Sequence, residues 1–141
     1  MEIAIIADDK KKELIVEFCI AYCGLLAEHH VCATNKTAKY ISEATGLQVE
    51  SLLSGGLGGT EQIASRISYN EIDLLISFRD TTPDAYGARE DIDMLRMCDI
   101  YNIPVATNLA TAEVLVRALA RGDLDWRELV NPKSEFNTSH K

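Results

Sequence analysis

Short apolar runs alternate with stretches in which apolar residues recur every three or four positions, and this alternation repeats along most of the chain. Glu2 to Ala7 (EIAIIA) has the nearly continuous apolar character of a strand buried on both faces. Leu14, Ile15, Phe18, Cys19, Tyr22, Leu25 and Leu26 then fall at helical spacing and predict a helix over about residues 10–28. His30 to Thr34 reads as a second strand, Thr34 to Thr37 as a polar strand-to-helix turn, and Ala38 to Ala44 as a helix that Gly46 closes. A third apolar run ends at Leu53, and Glu61 to Asn70 is amphipathic through Ile63, Ala64 and Ile67. Ile72 to Phe78 is the clearest central strand. Beyond it the pattern predicts a helix from Ala88 to Tyr101, a short strand over Pro104 to Thr107, and a helix from Ala110 to Arg121 stopped by Gly122. A helical turn from Trp126 to Val130 precedes a polar tail.

Strands and helices in alternation imply βα units with right-handed crossovers, hence an α/β fold: a single-domain three-layer sandwich around a mostly parallel sheet of about five strands. The domain is expected over 1–130, with 131–141 as the tail. Open sheets of this kind bind ligands beyond the carboxyl ends of their strands. Those ends supply Asp9 and Lys12, Thr34 to Thr37, Ser54 to Thr60, Arg79-Asp80 and Thr107-Asn108, so polar groups converge on one edge.

A length of 141 residues fits one domain with a full core, and 47% hydrophobic with 26% charged residues is ordinary for a globular protein. No apolar run approaches the roughly 20 residues of a membrane span. The N-terminus lacks the basic region and cleavage site of a signal peptide, so a cytoplasmic location is expected. A net charge of −8 argues against nucleic acid or anionic membranes as partners. Cys19, Cys23, Cys32 and Cys98 lie within apolar patterns and read as reduced, mostly buried thiols, with no convincing zinc set near them.

Local chemistry changes this acidic picture. Four of the eight glycines fall within Gly55 to Gly59, between an apolar run and a helical pattern. Such a loop exposes backbone N–H groups at the positive end of a helix dipole and suits a phosphate, although a plain glycine-rich turn reads equally well. It has neither the GxxxxGK order of a nucleotide loop nor the GxGxxG order of a dinucleotide loop. Lys10-Lys11-Lys12, in the first turn of the first helix, opposes the macrodipole. Holding an anion beside Asp9 would account for it, as would a solvated face. Asp8 or Asp9 can also cap that helix.

Taken together, ADDKKK, ATNKT, LSGGLGGTEQ and NIPVATNLATAE resemble the methylglyoxal synthase family, in the family's order and without a gap over about residues 2–130. The resemblance implies removal of phosphate from dihydroxyacetone phosphate to give methylglyoxal, no metal or organic cofactor, and a homohexamer. A related domain serves as a regulatory ligand-binding module in carbamoyl phosphate synthetase. Motif by motif, the phosphate cradle would be Lys12, Thr34, Thr37, Ser54 and Gly55, with Lys36 where the family often has Thr.

The catalytic half departs from the pattern. The family's G-G-D ends in the Asp that abstracts the proton, where this chain has Thr60, and a hydroxyl is far too weak a base near neutral pH. Gly87 and Glu90 stand where the family has a carbonyl-polarising His and a second Asp. The carboxylates left to act are Asp9 and Glu90, with Glu61 pointing about 100° away from Thr60 on its helix. Each also has a structural reading, as a cap or as a first-turn charge. Asp80 reads as loop-orienting. No Arg follows Arg127, although family members often end with one that reaches a neighbouring subunit's phosphate, leaving His140 or Lys141 as substitutes. Two functions stay open: a lyase using Asp9 or Glu90, and a non-catalytic module that senses a phosphorylated metabolite or inorganic phosphate.

Overall fold

Five parallel strands, β1 (Glu2–Ala7), β2 (His30–Thr34), β3 (Val49–Leu52), β4 (Leu74–Phe78) and β5 (Val105–Ala106), form one sheet in the order β3-β2-β1-β4-β5. The structure is a computed structural model that describes residues 1–53, 59–84 and 92–139. Because the chain winds outward from β1 to β3 and then returns to β4, the strand order reverses between β1 and β4. Pairing there runs from Ile3 opposite Leu74 to Ala7 opposite Phe78, which brings both strand ends level.

Alternation along the strands divides the core. Ile3 and Ile5 of β1 join Ile15, Phe18, Ile41 and Val116 on one face, beneath α1 (Lys12–Ala21), α3 (Asn35–Thr45) and α6 (Leu109–Arg121). Ala4 and Ile6 join Ile63, Ile67, Met94 and Cys98 on the other, beneath α4 (Gly59–Ser68) and α5 (Ile92–Tyr101). This is the expected three-layer α/β sandwich. Gly46 and Gly122 end α3 and α6 at φ of 76° and 86°, a conformation glycine adopts without strain. All four cysteines are free, and burial pushes the thiol of Cys19 up to about 12 and those of Cys32 and Cys98 to about 11.

Several element boundaries differ from the sequence pattern: β4 begins at Leu74 and not at Ile72, and β5 spans only Val105–Ala106 of the expected Pro104 to Thr107. The helix expected over 10–28 is a 3-10 turn at Asp9–Lys11, then α1, then a short α2 (Cys23–Leu26). The break falls at Tyr22, whose ring packs on Phe18 at 5.1 Å and whose hydroxyl donates to Glu113 on α6 at 3.3 Å. Neither Asp8 nor Asp9 caps the helix through its side chain. The polar segment after β2 is the first turn of α3, so Lys36 and Thr37 are helical. Likewise α4 begins at Gly59, one residue ahead of the helical pattern expected from near Thr60, and of the expected helix from Ala88 the residues 88–91 lie outside those described.

The chain's end is anchored at the amino ends of the strands. Arg127, in α7 (Arg127–Val130), is fully buried against Asp73, and Asn131 donates to Asp73 Oδ1 at 3.0 Å and to the Glu71 carbonyl at 3.1 Å. A short helix α8 (Glu135–Ser139) follows within the polar tail. Among the described residues, no helix is long and apolar enough to cross a membrane.

Candidate phosphate site at the strand ends

The end of β1 is tied to the end of β4 before the chain turns. Asp8 donates its backbone N–H to the Phe78 carbonyl at 2.9 Å, and its carboxylate accepts from the Asp80 N–H and, at 3.5 Å, from the Arg79 guanidinium. The 3-10 turn that follows carries Asp9 out to solvent and delivers Lys12 to the first position of α1. The Lys12 ammonium folds back over the strand end and donates to the Ala7 carbonyl at 2.7 Å and to Thr37 Oγ1 at 2.6 Å. Thr37, at the start of α3, is fully buried, and Thr34, at the end of β2, nearly so.

Burial is the main reason that the Lys12 ammonium has a pKa below the ordinary lysine value. Asp9 draws it back up, Lys36 pushes it further down, and Asp8 raises it slightly. A second cation stands across from it: Lys36 Nζ lies 3.3 Å from Asp9 Oδ1, and the same oxygen is 3.9 Å from Lys12 Nζ. A groove of about 590 Å³ opens here between α1 and α3, lined by Asp9, Lys12 and Lys36 together with Glu13, Val16, Glu17 and Tyr40. Its size lies within the range of about 300–1,000 Å³ usual for small-molecule sites.

The glycine-rich segment is described only from Gly59 onward. A Cβ at Gly59 would overlap the Leu53 carbonyl oxygen and lie 2.9 Å from Thr34 Cγ2, so glycine lets the start of α4 seat against the ends of β3 and β2. Gln62 reinforces that seat by accepting from the Leu53 N–H at 3.1 Å. Thr60 follows, half-buried in the first turn of α4. Glu61 is exposed.

Among the expected site residues, the structure thus brings Asp9, Lys12, Lys36 and Thr37 into one cluster, while Thr34 lies against the start of α4. Ser54, Gly55, Gly87 and Glu90 lie outside the described residues. Asp80 orients its loop, as its sequence context suggests: its carboxylate accepts from the Thr82 N–H at 2.9 Å, and that bond chiefly holds it below the ordinary carboxylate range. Missing from the sequence reading were Asp8 as the tie between strand ends, the Ala7 carbonyl as a Lys12 partner, and Tyr40 as a groove wall. The Asp8-Asp9 pair at a strand end was the available signal. A carbonyl acceptor leaves no signal in a sequence.

A family model described as "MGS-like domain" matches residues 14–107. A protein named methylglyoxal synthase from Caldicellulosiruptor saccharolyticus is 54% identical over 142 residues, covering 100% of both chains. One of the same name from Listeria welshimeri is 50% identical over 129 residues, 92% of this chain and 96% of that one. The crystal structure of methylglyoxal synthase from Elizabethkingia anophelis matches at a TM-score of 0.73 and 35% identity, covering 82% of this chain and 76% of that one.

Proposed function

Since the chain belongs to the MGS-like domain family, with relatives named methylglyoxal synthase along its whole length, we propose that it is itself a methylglyoxal synthase, a lyase that releases phosphate from dihydroxyacetone phosphate. The observation that carries the reading at this chain's own residues is the tethered Lys12 ammonium beside Lys36 and Thr37. Two of the ammonium's three protons are committed to Ala7 and Thr37, so its direction is set before a ligand arrives, and a third remains to meet a phosphate oxygen.

The reaction needs a carboxylate to take a proton from the hydroxymethyl carbon next to the carbonyl. The enediolate then expels inorganic phosphate by breaking the adjacent C–O bond, and the enol left behind tautomerises to methylglyoxal. Lys12 and Lys36 hold the phosphate and offset the charge that grows on it as it leaves. Asp9 and Glu90 are the candidate bases, with Thr60 in the place of the family's Asp. The same reading gives the protein no metal or organic cofactor, a homohexameric assembly and a cytoplasmic location.

One observation favours a second reading, a module that binds a phosphorylated metabolite without turnover. Asp9 is engaged by two ammonium groups, and Thr60 has no usable basicity near neutral pH. The deciding experiment mixes the pure protein with dihydroxyacetone phosphate and follows methylglyoxal and inorganic phosphate. Turnover that disappears in Asp9→Asn or Glu90→Gln supports the lyase. Phosphate-dependent thermal stabilisation without turnover supports the binding module. Neither turnover nor stabilisation overturns both.

A further inference from the structure

We infer that Asp9 is a displaceable counter-anion, holding the Lys12–Lys36 pair together until a ligand phosphate takes its place. The inference rests on the phosphate-binding reading above and adds how that site is regulated. Its basis is a single shared atom: Asp9 Oδ1 lies 3.3 Å from Lys36 Nζ and 3.9 Å from Lys12 Nζ, so one carboxylate oxygen bridges two cations that enter from different helices. A phosphate oxygen bridging the same two ammonium groups would occupy the same place.

The three residues differ in how firmly they are held. The Lys12 side chain is only 14% exposed and is tethered twice, whereas that of Asp9 is 75% exposed and that of Lys36 58%. Asp9 is therefore the member that can leave, because an ion pair this exposed is weak and its carboxylate is already largely solvated. The groove of about 590 Å³ reaches all three residues, which gives an incoming anion access to the bridged position. Two consequences follow. Ligand affinity is set by competition with an internal anion, and the arriving phosphate frees Asp9 from both lysines, making its carboxylate available at the step when the substrate is already gripped.

Isothermal titration of the full chain with inorganic phosphate at low ionic strength tests this, using wild type, Asp9→Asn, Lys36→Gln and the double variant. Asp9→Asn should tighten the phosphate Kd about fivefold, since one unit charge near a dianion is removed in a well-solvated site. Lys36→Gln should weaken binding more in the Asp9→Asn background than in wild type, because Asp9 already neutralises part of Lys36 there. An Asp9→Asn variant that binds phosphate as wild type does, or more weakly, overturns the inference and leaves the phosphate site standing. Absence of phosphate binding in all four proteins overturns the inference and the phosphate site together. Circular dichroism of each variant confirms that folded proteins are being compared.

Discussion

Arg127 Nε donates to Asp73 Oδ1 at 3.0 Å with both side chains buried, at the amino ends of the strands and so at the end of the sheet opposite the proposed phosphate site. The remaining guanidinium donors reach the Ile72 carbonyl at 2.9 Å, Asn70 Oδ1 at 2.8 Å and the Tyr101 carbonyl at 3.3 Å, while Asp73 Oδ2 accepts the Glu2 N–H at 2.8 Å. One side chain near the C-terminus thereby joins β1, the approach to β4 and the end of α5. Arg127→Ala strands a buried carboxylate and should cost about 3–5 kcal/mol. Urea denaturation measures it. In the fraction that remains folded, phosphate affinity should be unchanged, because the site lies beyond the other ends of the strands.

Gly59 gives a prediction whose sign decides between two physical effects. Helix propensity alone makes Gly→Ala favourable by about 1 kcal/mol. The Leu53 carbonyl and Thr34 Cγ2 leave no room for a methyl group, so Gly59→Ala should instead destabilise by about 1–3 kcal/mol. Displacing Thr34 should also weaken phosphate binding. A thermal melt with and without phosphate reads both effects, and a rise in Tm for the variant would show that α4 does not need this close seat.

Lys12 sets a pH dependence. Its folded pKa lies below the ordinary 10.5, chiefly through burial, so phosphate affinity should fall at alkaline pH before an ordinary lysine would lose its proton. The stability effect has the opposite slope. Between the depressed folded pKa and 10.5 the unfolded chain binds more protons than the folded one, so stability contributed by this group rises with pH across that window. Titrations of phosphate from pH 8 to 11 in wild type and Lys12→Met locate the first effect, and the variant should show weak binding at every pH.

Returning the family's carboxylate and imidazole to positions 60 and 87 should raise the rate. Thr60 occupies the first turn of α4, where a carboxylate is favoured by the helix dipole, so Thr60→Asp is expected to fold. Combined with Gly87→His, it should raise kcat/KM for dihydroxyacetone phosphate about 100-fold over wild type, the low end of what a general base supplies. A wild-type rate equal to that of the double variant would place the working base elsewhere, with Asp9 and Glu90 the next residues to substitute.

Much of the architecture was readable from the pattern alone. EIAIIA, HVCAT and IDLLISF have the apolar character that suits strands covered on both faces, and the helical spacing between them supplied the cover. Gly46 and Gly122 marked two helix ends correctly because a left-handed residue is needed there. Tyr22 was not readable as a helix break, since the break goes with its ring on Phe18 and its hydroxyl on Glu113, 91 residues away in sequence.

By itself, then, the sequence determined the layers, the edge where polar groups gather, and the family motifs that place lysines and threonines there, because hydrophobic period and turn chemistry are local properties of the chain. Tertiary structure decided which groups meet. That Asp9 Oδ1 is shared by two lysines, that Lys12 is fixed on Ala7 and Thr37, that Gly59 abuts Leu53, and that Arg127 closes the far end of the sheet on Asp73 all depend on distances between segments far apart in the chain. Such distances are set only when the strands pair in register and the helices pack upon them.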